Sequence, residues 1–217
     1  MLQTNEKNYS YDYISLKEEV WNAITHGIGF LASIPITVLL IIYAAVQGSA
    51  VHVVSYAIFG ASLMLLFLMS TLLHSMPLKY KRTFAIMDHA SIYVLIAGTY
   101  TPFLLIAIGG KLGITMLVII WAIALFGVCF KIFFIDRFDK LSLALYIGMG
   151  WMIIFAFKPV YAYLQFDGFL LLLIGGLLYT VGSIFYAWRS LPYGHTIWHL
   201  FVLAGCACMV SCVWIYL

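Results

Sequence analysis

Charge is what this chain has least of: 9% of its 217 residues are charged, against about a quarter in an ordinary water-soluble domain, so a soluble fold is excluded. Cysteine is sparse as well. Cys129, Cys206, Cys208 and Cys212 all lie in apolar runs, and no two have C-x-x-C spacing. That leaves buried free thiols rather than a disulfide framework or a cysteine metal site. A short basic stretch leading into a brief apolar one is missing from the start. More than twenty residues carrying Glu6, Asp12, Glu18 and Glu19 come first, so no signal peptide is expected and the first span is expected to stay in the mature protein. The net charge of +3 comes from the breaks between apolar runs. It bears on topology, and no nucleic-acid partner is expected.

What is present is apolar sequence, 65% of the chain, in runs of spanning length from Ile24 to Leu217. This predicts an all-α integral membrane protein, multi-pass in the cell membrane. The runs break at Gln47-Gly-Ser, at Met76-Pro through Thr83, at Gly109-Gly-Lys, at Asp136 through Lys140, from Lys158-Pro to Asp167-Gly, and from Trp188 to Gly194. Six breaks predict seven transmembrane helices, roughly 24–46, 51–75, 84–108, 112–134, 141–157, 168–187 and 194–216. Residues 1–23 then form an N-terminal segment and 24–217 the seven-helix domain. Pro35 and Pro102 fall inside spans, where membrane helices tolerate proline.

Lys7, Lys17, Lys79, Lys81, Arg82, Lys131, Arg137, Lys140 and Arg189 fall on one side of this ladder, and only Lys111 and Lys158 on the other. Cytoplasmic loops concentrate Lys and Arg, so the N-terminus is expected in the cytoplasm and the C-terminus outside. His26, His74, His89, His195 and His199 are then all at cytoplasmic helix ends, with His52 alone at the outer side.

His195 and His199 are four residues apart, which places both imidazoles on one helix face, roughly 5–6 Å apart at Cβ. Ionisable groups at membrane depth are functional suspects. Three neutral imidazoles with an open fourth position form a catalytic zinc arrangement, in which bound water has a pKa of about 7. His74, His195 and His199 are the best three candidates for Zn²⁺. Asp88, expected at the start of the third helix, can hydrogen-bond the water, or can instead balance the charge of Lys79, Lys81 and Arg82. Ser70 precedes His74 by one turn and can position a water, orient Asp88 or bind a substrate carbonyl. His26 shares a face with Glu19 and Asn22 and reads, with His89, as a supporting or interhelical hydrogen-bonding residue.

Glu18-Glu19-x-x-Asn22-x-x-Thr25-His26, Ser70-x-x-x-His74, Asp88-His89-Ala-Ser-Ile-Tyr through Thr101-Pro102, and His195-x-x-x-His199 together resemble the bacterial hemolysin III family. That family is related to the progestin and adiponectin receptors and more distantly to alkaline ceramidases. The resemblance covers nearly the whole chain and implies seven helices with a cytoplasmic N-terminus. It also implies zinc on His74, His195 and His199, a water-binding aspartate at Asp88 and the family's serine at Ser70. Three functions compete. The first is an intramembrane zinc-dependent hydrolase of a lipid amide or ester bond, with membrane lipids as substrate. The second is a cytolytic, pore-forming hemolysin, which predicts polar stripes along whole helices, whereas spans four to six are nearly uniformly apolar. The third is a lipid-homeostasis sensor or receptor with structural zinc, which predicts a substantial ligand-binding domain beyond the short loops seen here.

Overall fold

The computed structural model describes residues 15–135 and 137–217, and every regular element among them is a helix. In chain order these are α1 (Leu16–Gln47), α2 (Ala50–Ser75), α3 (Leu78–Pro102), α4 (Gly110–Phe134), α5 (Asp139–Gly150), α6 (Phe157–Ala187) and α7 (Gly194–Tyr216). A π-helical turn, Phe103–Ile108, extends α3 after Pro102, whose missing N–H cannot continue the α ladder. A 3₁₀ stretch, Trp151–Ala156, joins α5 to α6. Six continuous helical segments among the described residues are long and apolar enough to cross a membrane: Leu16–Gln47, Ala50–Ser75, Leu78–Ile108, Gly110–Phe134, Asp139–Ala187 and Gly194–Tyr216. The protein is a multi-pass membrane protein, and its outer face carries large apolar side chains such as Leu31, Val118, Phe126 and Phe155.

The count of six differs from the seven expected because the fifth and sixth runs are one helical stretch of 49 residues, Asp139–Ala187. Pro159 does not break it. It is the third residue of α6, in the first turn, where a backbone N–H has no intrahelical acceptor to lose. The interruption falls instead at Gln165, which adopts φ 57°, ψ −169°. On either side the stretch meets itself: the Trp151 indole donates to Thr180 Oγ1 at 3.0 Å, and the ring of Phe157 meets that of Phe169 edge-on at 5.2 Å. In a straight helix Trp151 and Thr180 would be roughly 40 Å apart at 1.5 Å per residue, so the stretch doubles back at Gln165.

Two helix starts also lie earlier than expected. α1 begins at Leu16 rather than 24, because Ser15 caps it by accepting the Glu18 N–H at 3.2 Å and Glu18 and Glu19 occupy its first turn. α3 begins at Leu78 rather than 84, directly after Pro77, and takes Lys79, Lys81 and Arg82 into its first turns.

The interior is built around Tyr56, Phe59, Leu63, Tyr93, Phe103 and Val160, all essentially inaccessible. Helices approach closely where side chains are small. A Cβ on Gly98 of α3 would collide with the Ser62 side chain of α2, and one on Gly205 of α7 with the Tyr179 ring of α6. Such small-residue contacts substitute for a hydrophobic driving force that lipid does not supply. All four cysteines are free.

Candidate metal centre

The end of α2, the first half of α3, the start of α1 and the start of α7 meet at one end of the bundle. Tyr193, with φ 57°, turns the chain into α7 at Gly194, so that His195 and His199 fall on consecutive turns facing α2. His74 is the next-to-last residue of α2, one turn beyond Ser70. The three rings converge: centroids are 5.1 Å apart for His74 and His195, 5.2 Å for His74 and His199, and 4.6 Å for His195 and His199. One ring nitrogen from each lies within 4.8 Å of the other two.

The hydrogen bonds around these rings decide which nitrogens are available. His74 Nδ1 donates to Glu19 Oε2 at 2.8 Å, and His199 Nδ1 donates to the Asn22 carbonyl at 3.2 Å with Thr25 Oγ1 equally near. Thr196 Oγ1 ties the same turn of α7 to Asn22 Oδ1. His74 Nε2 and His195 Nε2 are buried with no hydrogen-bond partner. A buried ring nitrogen without a partner is costly, so the donor set fits a cation that accepts imidazole lone pairs, as Zn²⁺ does. His26 Nε2 is also buried without a partner. Its ring stacks on His199 at 3.5 Å and 7°, and its Nδ1 meets Ser70 Oγ at 2.7 Å.

Asp88 is ten residues into α3 rather than at its start, and it is buried. The basic residues nearest the helix start are engaged elsewhere: Lys81 Nζ donates to Glu19 Oε2 at 2.8 Å, and Lys79 lies over the Tyr80 ring at 4.6 Å. Asp88 faces Ser70 instead, with His89 Nδ1 at 3.5 Å. His89 has its own partners, donating from Nδ1 to the Ala85 carbonyl at 2.8 Å and accepting at Nε2 from the Tyr186 hydroxyl at 3.1 Å, which joins α3 to α6. This is the interhelical role expected for it. His52 is at the other end of α2, where it pairs with Ser49 at 3.0 Å in a capping box.

A cavity of about 180 Å³ begins at His26, Ser70, Asp88, His195 and His199 and runs between α3, α5, α6 and α7 to Phe169 and Met209. Its wall is almost wholly apolar beyond the first turn of polar groups. Two apolar wall residues, Ile154 and Phe157, are also exposed. All five residues singled out in the sequence, Ser70, His74, Asp88, His195 and His199, are therefore within one buried neighbourhood. Sequence reasoning put Glu19 and Asn22 on a supporting face but not on particular histidines. It missed Tyr186 altogether, since a lone tyrosine in an apolar helix gives no signal.

The profile of the haemolysin-III related family matches residues 14–210. The chain belongs to the haemolysin-III related family. It is 58% identical over 203 residues to the hemolysin-3 homolog of Bacillus subtilis (strain 168), which covers 93% of this chain and 95% of that protein. It is 56% identical over 203 residues to hemolysin-3 of Bacillus cereus, covering 93% and 92%. The human monocyte to macrophage differentiation factor is 32% identical over 170 residues, 74% of this chain and 69% of that protein. This haemolysin-III related protein is thus a multi-pass protein of the cell membrane with a histidine cluster able to hold a metal ion.

Proposed function

We propose that this haemolysin-III related protein crosses the membrane seven times and is a zinc-dependent hydrolase of a lipid amide or ester bond. The turn at Gln165 supports the seventh crossing, because it divides Asp139–Ala187 into two arms each of about spanning length. With seven crossings, the distribution of Lys and Arg puts the N-terminus and the metal centre on the cytoplasmic side and the C-terminus outside. Residues 1–23 would then be cytoplasmic; of these, 1–14 lie outside the described residues.

The single observation carrying the hydrolase reading is that two histidines of the three-histidine cluster, His195 and His199, line an apolar cavity together with Asp88 and Ser70, while His74 completes the cluster beside them. His74, His195 and His199 would hold the metal through the ring nitrogens that the protein leaves free. A zinc ion there supplies Lewis acidity at neutral pH. The Asp88 carboxylate, buried at the polar end of the cavity, takes a proton from attacking water and returns it to the leaving amine or alcohol. Ser70 Oγ, anchored by His26 Nδ1 at 2.7 Å, would hydrogen-bond the carbonyl being attacked. The apolar wall holds the acyl part and excludes bulk water, which strengthens each of these polar interactions.

The names of the two Bacillus relatives favour a second reading, lysis of cells. One experiment separates the two: purified wild type and His199→Ala are compared for fatty-acid release from ceramide-like and phospholipid substrates and for dye release from vesicles of the same lipids. The hydrolase reading expects fatty-acid release by wild type alone, without leakage. Leakage equal in both proteins, with no fatty acid released by either, overturns it.

A further inference from the structure

We propose that Glu19 is a positioning residue of the metal centre, holding His74 in the tautomer and orientation that bind the ion, and that Lys81 is the counter-charge that keeps Glu19 in that role. The inference rests on the metal reading above. A single carboxylate oxygen, Glu19 Oε2, lies 2.8 Å from both His74 Nδ1 and Lys81 Nζ, so one atom of α1 ties together the end of α2 and the start of α3. All three side chains are largely withdrawn from solvent, with exposures of 14% for Glu19, 4% for His74 and 10% for Lys81. In such surroundings a lone carboxylate would be costly, and the lysine ammonium offsets that cost.

Because His74 Nδ1 donates to a carboxylate, its proton is fixed there and the lone pair is fixed on Nε2, the buried atom with no protein partner. A carboxylate behind an imidazole also raises its basicity, and loss of such a partner typically weakens metal affinity 10–100-fold. His199 has a neutral backbone carbonyl in the same place, and no hydrogen bond holds His195 among the described residues. Glu19 is therefore the sole anionic support the three rings have among the described residues, and it belongs to α1, which contributes no ligand.

The test is the zinc dissociation constant of full-length protein in detergent, measured by competition with a chromophoric chelator, beside thermal unfolding of the chelated protein. Glu19→Gln alone leaves Lys81 buried without its anion, so the pair Glu19→Gln with Lys81→Met removes both charges and keeps the fold comparable. The proposal expects that double variant to unfold, metal-free, near wild type yet bind zinc roughly 10–100-fold more weakly. It expects Lys81→Met alone, which keeps the carboxylate on His74, to bind zinc more tightly than the double variant. A double variant that binds zinc as tightly as wild type overturns the role of Glu19 and leaves the metal reading standing. A wild type that binds no zinc overturns both.

Discussion

The imidazoles of His26 and His199 lie face to face, 3.5 Å between centroids and 7° from parallel, so a residue outside the three-histidine cluster forms the floor beneath one of its rings. His26 also meets the Phe67 ring edge-on at 5.1 Å. His26→Phe should preserve both aromatic contacts and lose only the bond to Ser70, whose hydroxyl keeps Asp88 as a partner, at a cost of about 0.5–1.5 kcal/mol. His26→Ala should cost more by opening a void. Chemical unfolding of the two variants in detergent checks the order.

One zinc ion per chain is expected on elemental analysis of protein purified without chelator. Replacing His74, His195 or His199 with Ala should each abolish stoichiometric metal, whereas His52→Ala, at the far end of α2, should retain it. Zinc retained by the His199 variant would remove that ring from the ligand set.

Asp88→Asn should keep the fold and most of the zinc while removing hydrolysis, because the amide preserves shape and is a poor base. Its partners in the protein are Ser70 and His89 rather than a surface lysine, so a charge-balancing role predicts no such loss. Metal content and fatty-acid release, measured on the same preparation, separate the two.

Much of the centre was legible in sequence because its residues come in helical pairs. Ser70 with His74, and His195 with His199, declare their shared faces by spacing alone, and the Glu19, Asn22, His26 face of α1 does the same. What spacing cannot give is the partner. Glu19 meets His74 and Lys81 across gaps of 55 and 62 residues, and the cavity exists only where residues of six helices meet. The break expected between Lys158 and Asp167 contains Gln165, but its narrowness was hidden for a different reason. Pro159 and Gly168 bracket the segment without marking the residue at which the chain turns, and Pro159 draws attention to a point where the helix in fact continues. The same spacing-based reading put Asp88 at a helix end, since the basic residues of 79–82 resemble a loop until they are seen as the first turns of α3.

Gln165 combines φ 57° with ψ −169°, a region that costs a side-chain-bearing residue of order 1–3 kcal/mol and suits glycine. Gln165→Gly should therefore raise stability by about 1 kcal/mol, read as a higher unfolding midpoint. The exposed side-chain bond it loses, from Nε2 to the Ala162 carbonyl, contributes less.

Reporter fusions at the two termini should give a cytoplasmic signal at the N-terminus and an external one at the C-terminus. A fusion at Gln165 should read as external. A C-terminal reporter active in the cytoplasm together with a cytoplasmic N-terminus would mean an even number of crossings and would overturn the proposed topology.

Ile154 and Phe157 belong at once to the wall of the cavity and to the exposed apolar side chains of the bundle. Under the proposed lipid-hydrolase function, a substrate entering there would travel in the plane of the bilayer without passing through water, and its encounter with the histidines would be a two-dimensional process. Occupancy then follows mole fraction in the membrane rather than concentration in solution. Diluting the lipid with inert detergent at constant total concentration lowers it, with no change in the protein.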